Sequence, residues 1–280
     1  MRLVHSPAEL QRIASEALVS GTIVGVVATM GALHEGHLSL VRAARDECDL
    51  VIVTVFVNPT QFGPSEDLDK YPRSLEQDAI LSEAAGADVV FAPSAADMYP
   101  AEFQNYVETG PLAERLCGAS RPGHFRGVAT VVLKLLNVTR AARAYFGEKD
   151  YQQLRVIQQM ASDFNLPVEV VPMPTVREAD GLAMSSRNRY LSADERKAAL
   201  VLNQSLDLAA EWWARGERGP EALGEGVRGV IESEPLARVD YVEVVDPVTL
   251  LPASEGSARV LIALAVVIGA TRLIDNRLLA

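Results

Sequence analysis

Two short runs of almost unbroken apolar, β-branched residues, Ile23–Ala28 and Leu50–Val57, leave this chain few folds to adopt. A strand with one wet face alternates polar and apolar side chains. One that is apolar throughout is covered on both faces, as in a parallel sheet with helices above and below. Between the two runs, Leu38-Ser39-Leu40-Val41-Arg42-Ala43-Ala44-Arg45 repeats its apolar residues at helical spacing. The alternation continues. Ser6-Pro7-Ala8-Glu9 has the cap, proline and acid of a helix start, running to about Leu18, and Ser74 to Ala85 reads as a helix stopped by Gly86. Asp88–Phe91, Ala144–Phe146 and Pro167–Pro172 are further short strands, and the apolar stretch Val128–Val138 is a buried helix. The expected architecture is α/β, with a doubly wound parallel-sheet, Rossmann-like N-terminal domain over residues 1–175. After Pro174 the texture changes to helices at Leu200–Arg215 and Pro220–Glu232, then strands at Val239–Val245 and Val260–Val267 separated by turn residues. These strands are expected to pair antiparallel in a smaller α+β C-terminal domain, residues 176–280.

The stretch that carries chemistry lies directly after the first apolar run: Thr29-Met30-Gly31-Ala32-Leu33-His34-Glu35-Gly36-His37. A strand ends, a glycine-bearing turn follows, and a helix begins at or near His37. That arrangement is expected to aim backbone N–H groups and the positive end of a helix dipole at the turn, where a phosphate would bind. His34 and His37 add two imidazoles to the same place. A metal half-site is the competing reading, but the pair lacks the i, i+4 spacing of the His-Glu-x-x-His zinc helix and no cysteine pair stands nearby. Two incidental histidines on a solvated loop are a further alternative.

Three other segments favour anions. Arg121-Pro122-Gly123-His124-Phe125-Arg126-Gly127 sets two arginines and a histidine between glycines, and a guanidinium fork suits carboxylate or phosphate. Lys149 and Asp150 follow a strand end, where ligands of open α/β sheets bind. Met184-Ser185-Ser186-Arg187-Asn188-Arg189 offers small hydroxyls and arginines fit to clamp a polyphosphate. Each alone also admits the reading of a solvated turn. The whole chain is nevertheless acidic, with a formal net charge of −11 over 280 residues, which argues against a general nucleic-acid surface. Cys48 and Cys117 are too few for a disulfide framework, which points to a reducing compartment. No signal peptide is evident, and the longest apolar stretch, Val260–Ile268, is too short to span a bilayer. A soluble, cytoplasmic protein is expected.

His34-Glu35-Gly36-His37 resembles the HIGH motif of class I aminoacyl-tRNA synthetases and related nucleotidylyl transferases. Met184–Asn188 sits where that superfamily carries its KMSKS-type loop, although this segment has no lysine, leaving the phosphates to Arg187 and Lys149. The chain is more specifically similar to the pantothenate synthetases (pantoate–β-alanine ligases). The likeness rests on Thr29–His37, Phe56–Gly63, Arg121–Gly127, Phe146–Gln153 and Met184–Arg189, and is loose beyond Tyr190.

That resemblance implies a ligation in two steps: (R)-pantoate attacks the α-phosphorus of ATP to give pantoyl adenylate and pyrophosphate, then β-alanine displaces AMP to give pantothenate. It implies that Met30, Gly31, Ala32, Leu33, His34, Glu35, Gly36 and His37 line the ATP site, with His37 as general acid. Gly147, Glu148, Lys149 and Asp150 would meet the nucleotide, Lys149 at the phosphates and Asp150 near the ribose; Val176 would contact adenine through its backbone. Met184, Ser185, Ser186 and Arg187 would close over the triphosphate, bringing the C-terminal domain down as a lid that keeps water from the mixed anhydride. Gln61, with Asn58 beside it, would hold pantoate and later β-alanine, Gln153 would hold pantoate from the other side, and Arg121 joins this substrate set. Neutral amides suit a carboxylate that must stay nucleophilic, since a salt bridge blunts it. Mg2+ would be held chiefly by the phosphates, with Asp78 as an extra contact, and the family is dimeric. A nucleotidylyl transferase acting on tRNA, or an ATP-binding regulatory module without turnover, are the rival readings.

Overall fold

The computed structural model describes residues 1–64 and 66–280. The chain divides into two compact units: Met1–Ala113, Arg121–Glu148 and Gln153–Pro174 form the first, and Glu114–Ser120, Lys149–Gln152 and Thr175–Ala280 the second. The main division falls where the texture of the sequence changes, but the second unit also takes in two short excursions, residues 114–120 and 149–152, from within the first 175 residues.

The elements of the first unit follow in order β1 (Arg2–Val4), α1 (Pro7–Val19), β2 (Val24–Thr29), α2 (Glu35–Glu47), β3 (Leu50–Val55), α3 (Leu75–Ala84), β4 (Val89–Phe91) and α4 (Ala95–Met98). After α5 (Cys117–Ser120), which belongs to the second unit, come α6 (His124–Thr139), β5 (Arg143–Gly147), α7 (Tyr151–Asp163) and β6 (Glu169–Met173). Among the described residues, six strands form one sheet in the order β1-β4-β3-β2-β5-β6, and every neighbouring pair is parallel. Side chains alternate across a strand. Val27, Val51, Val53, Val90 and Tyr145 pack on one face against Leu40, Val41 and Ala44 of α2 and Leu75 and Leu81 of α3. Their neighbours Val26, Ile52, Phe91 and Ala144 are as deeply buried on the other face, where α1 and α6 contact β2 and each other. Coverage on both faces is what the apolar runs required.

Local signals hold where the sequence carried them. Ser6 accepts the N–H of Glu9 and Pro7 opens α1. The helix expected to start at or near His37 begins at Glu35, with His34 as the capping residue and His37 in its first turn. The strand β1, with no apolar run of its own, exists through pairing with β4, Arg2 opposite Val89 and Val4 opposite Phe91.

The second unit contains α8 (Ala193–Ala198), α9 (Val201–Ala214), α10 (Pro220–Glu232), β7 (Ala237–Val245), β8 (Val260–Ile268) and β9 (Thr271–Leu279). β8 pairs antiparallel with β7 on one side and β9 on the other. Leu202, Leu206 and Trp213 of α9, and Leu223, Val227 and Ile231 of α10, close over Ile262, Leu264 and Val266 of β8. The helix at Pro220–Glu232 and the antiparallel pair agree with the sequence reading; β9 is an addition to it.

Candidate active site

In a parallel sheet all strands end at one edge, and ligands bind there where the strand order reverses. β2 lies between β3 and β5, so that the chain steps outward to opposite sides from this point. The turn after β2 and the loop after β3 share that edge, as does the segment Gly147–Glu148 after β5; Gln153 follows in the first turn of α7.

The turn is wired internally to a degree the sequence does not disclose. The Thr29 hydroxyl donates to the Thr54 carbonyl at 2.7 Å and accepts the Gly31 N–H at 3.1 Å. The N–H groups of Ala32 and Leu33 donate to the two carboxylate oxygens of Asp78, at 2.9 and 2.8 Å. Gly31 has φ +83°, and a Cβ there would stand 2.8 Å from the same carboxylate. The N–H of His34 donates to Nδ1 of His37 at 3.3 Å, and the two rings lie 4.0 Å apart. The sequence reading had these turn N–H groups aimed at an anion; four of them, from Gly31 to His34, are instead taken up within the unit. Among the described residues, the N–H groups at the head of the site without such a partner are those of Glu35 and Gly36, the first two of α2. Asp78, read from the sequence as a magnesium contact, is 2% exposed and spends both oxygens on the turn.

A second network sits at the end of β3. Asn58, 1% exposed, gives its NH2 to Gln61 Oε1 at 3.0 Å and to the Gly127 carbonyl at 3.1 Å. Its oxygen accepts from the hydroxyls of Thr60 at 2.9 Å and Tyr99 at 2.8 Å. Both polar atoms of the Asn58 side chain are therefore occupied, and they fix the Gln61 amide: Oε1 is held by Asn58, and Nε2 is the donor end, lying 3.1 Å from Met30 Sδ. The backbone carbonyl of Gln61 accepts from His124 Nδ1 at 2.9 Å and Arg121 Nη2 at 3.4 Å. Arg121 Nη1 lies 3.1 Å from His124 Nε2, and a guanidinium only donates, so in this contact Nε2 is the acceptor and Nδ1 the donor to the Gln61 carbonyl. Glu66 takes the other side of the guanidinium, Nε to Oε1 at 2.8 Å and Nη2 to Oε2 at 2.5 Å. Burial alone would push the Glu66 carboxyl up; the Arg121 hydrogen bond and charge outweigh it and hold it below the usual carboxylate range. Sequence reasoning found Arg121 but not Glu66 or Tyr99, which no local pattern links to it.

The remaining sequence-derived residues lie in the second unit. Lys149 Nζ stands 3.9 Å from Asp150 in a single 3-10 turn, Glu148–Asp150. Val176 accepts the Met184 N–H at 3.0 Å, and an isolated bridge joins Arg177 to Ala183, so that Val176 to Met184 is a small hairpin. Asn188 closes it by donating to Glu178 at 2.7 Å and to the Ala183 carbonyl at 3.1 Å. The Ser185 hydroxyl caps the turn that follows, accepting the Arg187 N–H at 3.3 Å, and Ser186 is buried. Among the described residues, no group of three or more His, Cys, Asp or Glu side chains is arranged to hold a metal ion.

Residues 2–278 match the family model described as Pantoate-beta-alanine ligase. The chain belongs to the pantoate–β-alanine ligase family. A pantothenate synthetase of Roseiflexus castenholzii is 56% identical over 279 residues, 100% of this chain and 99% of that one. The crystal structure of pantothenate synthetase from Thermus thermophilus superposes with TM-score 0.93 at 46% identity, covering 99% of both chains. A pantoate–β-alanine ligase of Francisella tularensis, solved in complex with Beta-gamma ATP and Beta-alanine, superposes with TM-score 0.80 at 36% identity, covering 99% of this chain and 97% of that one.

In this member of the pantoate–β-alanine ligases, helix α6 approaches the Asn58–Gln61 turn so closely that only glycine fits at position 127. A Cβ there would lie 2.3 Å from the Thr60 carbonyl oxygen and 2.7 Å from the Gln61 nitrogen. Gly127→Ala is expected to cost about 1–3 kcal/mol, the usual range for overpacking. Chemical denaturation checks it; an unchanged midpoint would mean that the turn yields freely.

Proposed function

We propose that this chain joins (R)-pantoate to β-alanine at the expense of ATP, by way of pantoyl adenylate, releasing pyrophosphate and AMP. Membership of the pantoate–β-alanine ligases supports it, and so does one feature of the site: a neutral amide, Gln61, oriented by Asn58 and lying against Met30 of the turn that carries His34 and His37. With Oε1 held, Gln61 presents a donor, which suits a carboxylate or hydroxyl and leaves the carboxylate nucleophilic.

In the first step a pantoate carboxylate oxygen attacks the α-phosphorus and the bond to pyrophosphate breaks. Negative charge accumulates on the leaving oxygens, and the protein's contribution is positioning and electrostatic stabilisation. His34 and His37 meet the phosphates from the head of α2, helped by the positive end of that helix. Met30 to Leu33, Glu35 and Gly36 line the nucleotide; Gly147 and Glu148 extend that wall, Lys149 supplies a cation, Asp150 a ribose contact, and Val176 its backbone N–H. Met184, Ser185, Ser186 and Arg187 take the triphosphate. Gln61 and Gln153 hold pantoate, and Arg121, with most of its donors already engaged by Glu66 and His124, acts on the acid chiefly by steadying Gln61. In the second step the β-alanine amine attacks the acyl carbon and AMP departs. Mg2+ travels with ATP as part of the substrate, its ligands chiefly phosphate oxygens, in keeping with the hard-cation preference for such sites. A cytoplasmic homodimer completes the reading.

The deciding experiment incubates the protein with ATP, Mg2+, pantoate and β-alanine, leaving out each in turn. Pyrophosphate is expected to require pantoate but not β-alanine, and pantothenate to require all four. AMP formed without pantoate, or pyrophosphate released in response to amino acids, would overturn the assignment.

A further inference from the structure

The last strand of the second unit carries two adjacent polar residues, Asp275 and Asn276, whose side chains point to opposite sides. Asp275 is 2% exposed and is paired with Arg177: Nη1 reaches one oxygen at 2.7 Å and Nη2 the other at 2.9 Å. The same Arg177 Nη1 donates to the Gly181 carbonyl at 3.1 Å, across the hairpin whose ends are Val176 and Met184. Asn276 donates its own N–H to Asp275 at 2.8 Å and, through its side chain, Nδ2 to the Lys149 carbonyl at 2.9 Å. β9 itself is pinned by its register with β8, Asp275 opposite Leu264 and Asn276 opposite Ala263. Leu264 is fully buried in the core beneath α9 and α10.

A buried ion pair is weak as a source of stability, since apolar residues of similar volume often do as well. What this pair does supply is geometry. It is bidentate, and the Arg177 guanidinium reaches from the hairpin to the carboxylate on the rigid strand while also donating to Gly181. We propose that Asp275 and Asn276 are positioning residues for the nucleotide half of the reaction: Asp275, through Arg177, sets the Val176–Met184 hairpin, and Asn276 sets Lys149. Two segments far apart in sequence thereby take their placement from one dipeptide on one strand. The inference rests on the assignment of Lys149 and Val176 to the nucleotide.

The test uses the full-length protein and compares Asn276→Ala, Lys149→Ala, the double variant and Asp275→Asn. The kcat is read with separate KM values for ATP, pantoate and β-alanine, and thermal unfolding alongside. Loosening a group that must sit within an ångström of its target costs up to about 10²-fold. Asn276→Ala is expected to lower kcat/KM for ATP about tenfold while the pantoate KM stays within about twofold. In the double variant the Asn276 effect on the ATP parameters should vanish, because Asn276 acts on the nucleotide through the Lys149 backbone and there is no longer a lysine side chain to place. Asp275→Asn should lower the same ATP parameter and also the melting temperature; if it fails to fold, Asn276→Ala decides alone. Equal loss for ATP and pantoate, or an Asn276 effect of the same size with Lys149 already removed, would overturn the inference. If Lys149→Ala itself leaves the ATP parameters unchanged, the assignment of Lys149 to the nucleotide falls and the positioning role with it, while pantoate-dependent pyrophosphate release stands separately.

Discussion

Replacing His37 by alanine is expected to lower kcat by roughly 10²- to 10⁴-fold, the range for a group that donates a proton or hydrogen bond in the transition state. The hydrogen bonding of the ring indicates which nitrogen is open to that role. Nδ1 accepts the His34 N–H, so the neutral ring carries its proton on Nε2. The ring is held against that of His34, 4.0 Å between centroids, in the first turn of a helix whose dipole favours negative charge at this end. A donor used as pyrophosphate leaves should affect kcat and leave the KM for ATP nearly unchanged. His37→Gln retains an N–H donor at similar reach but cannot give up a proton, and is expected to fall between alanine and the parent. Single-turnover formation of pantoyl adenylate is the measurement that isolates the step. Full turnover by the alanine variant would remove His37 from the chemistry.

How much of this was legible in the sequence depends on how local its cause is. The buried strands β2 and β3 follow from their own side chains, as do the Ser6 and Pro7 start of α1 and the Pro220 start of α10. β1 and β9 do not. Arg2–Val4 is a strand because β4 offers it a partner, and Thr271–Leu279 interrupts its apolar residues with Arg272, Asp275, Asn276 and Arg277, each with an appointment elsewhere in the unit. The site divides in the same way. The glycine turn with its two histidines stands out in the sequence at the end of β2, and Gln61 follows a recognisable strand end. That Asn58 is locked by Gly127 and Tyr99, that Glu66 engages Arg121, and that Asp78 fills the turn are facts of side chains meeting across long stretches of chain. Propensity and periodicity describe neighbours within a turn or a pleat, so partners 46 residues apart, as Ala32 and Asp78 are, leave no local pattern.

The Asp78 contact carries the other large effect. The carboxylate, in the first turn of α3, accepts from Ala32 at 2.9 Å and Leu33 at 2.8 Å, and all three residues are buried. Removing it leaves two buried N–H groups without acceptors, each costing about 1–3 kcal/mol. Asp78→Ala is therefore expected to destabilise the first unit by about 2–5 kcal/mol, a drop in melting temperature of roughly 5–20 °C. Asp78→Asn retains one acceptor oxygen but sets its NH2 against the second N–H, and should lose somewhat less. Activity should fall further than stability alone explains, at temperatures where both variants are folded. The turn between β2 and α2 sets where His34 and His37 stand, and a shift of about 1 Å is worth up to 10²-fold in rate. A magnesium titration separates this role from that of a metal ligand. A strut lowers the melting temperature and kcat without moving the magnesium midpoint. If Asp78→Asn melts like the parent and needs much more magnesium for half-maximal rate, the carboxylate is a metal contact and the account of the turn is wrong.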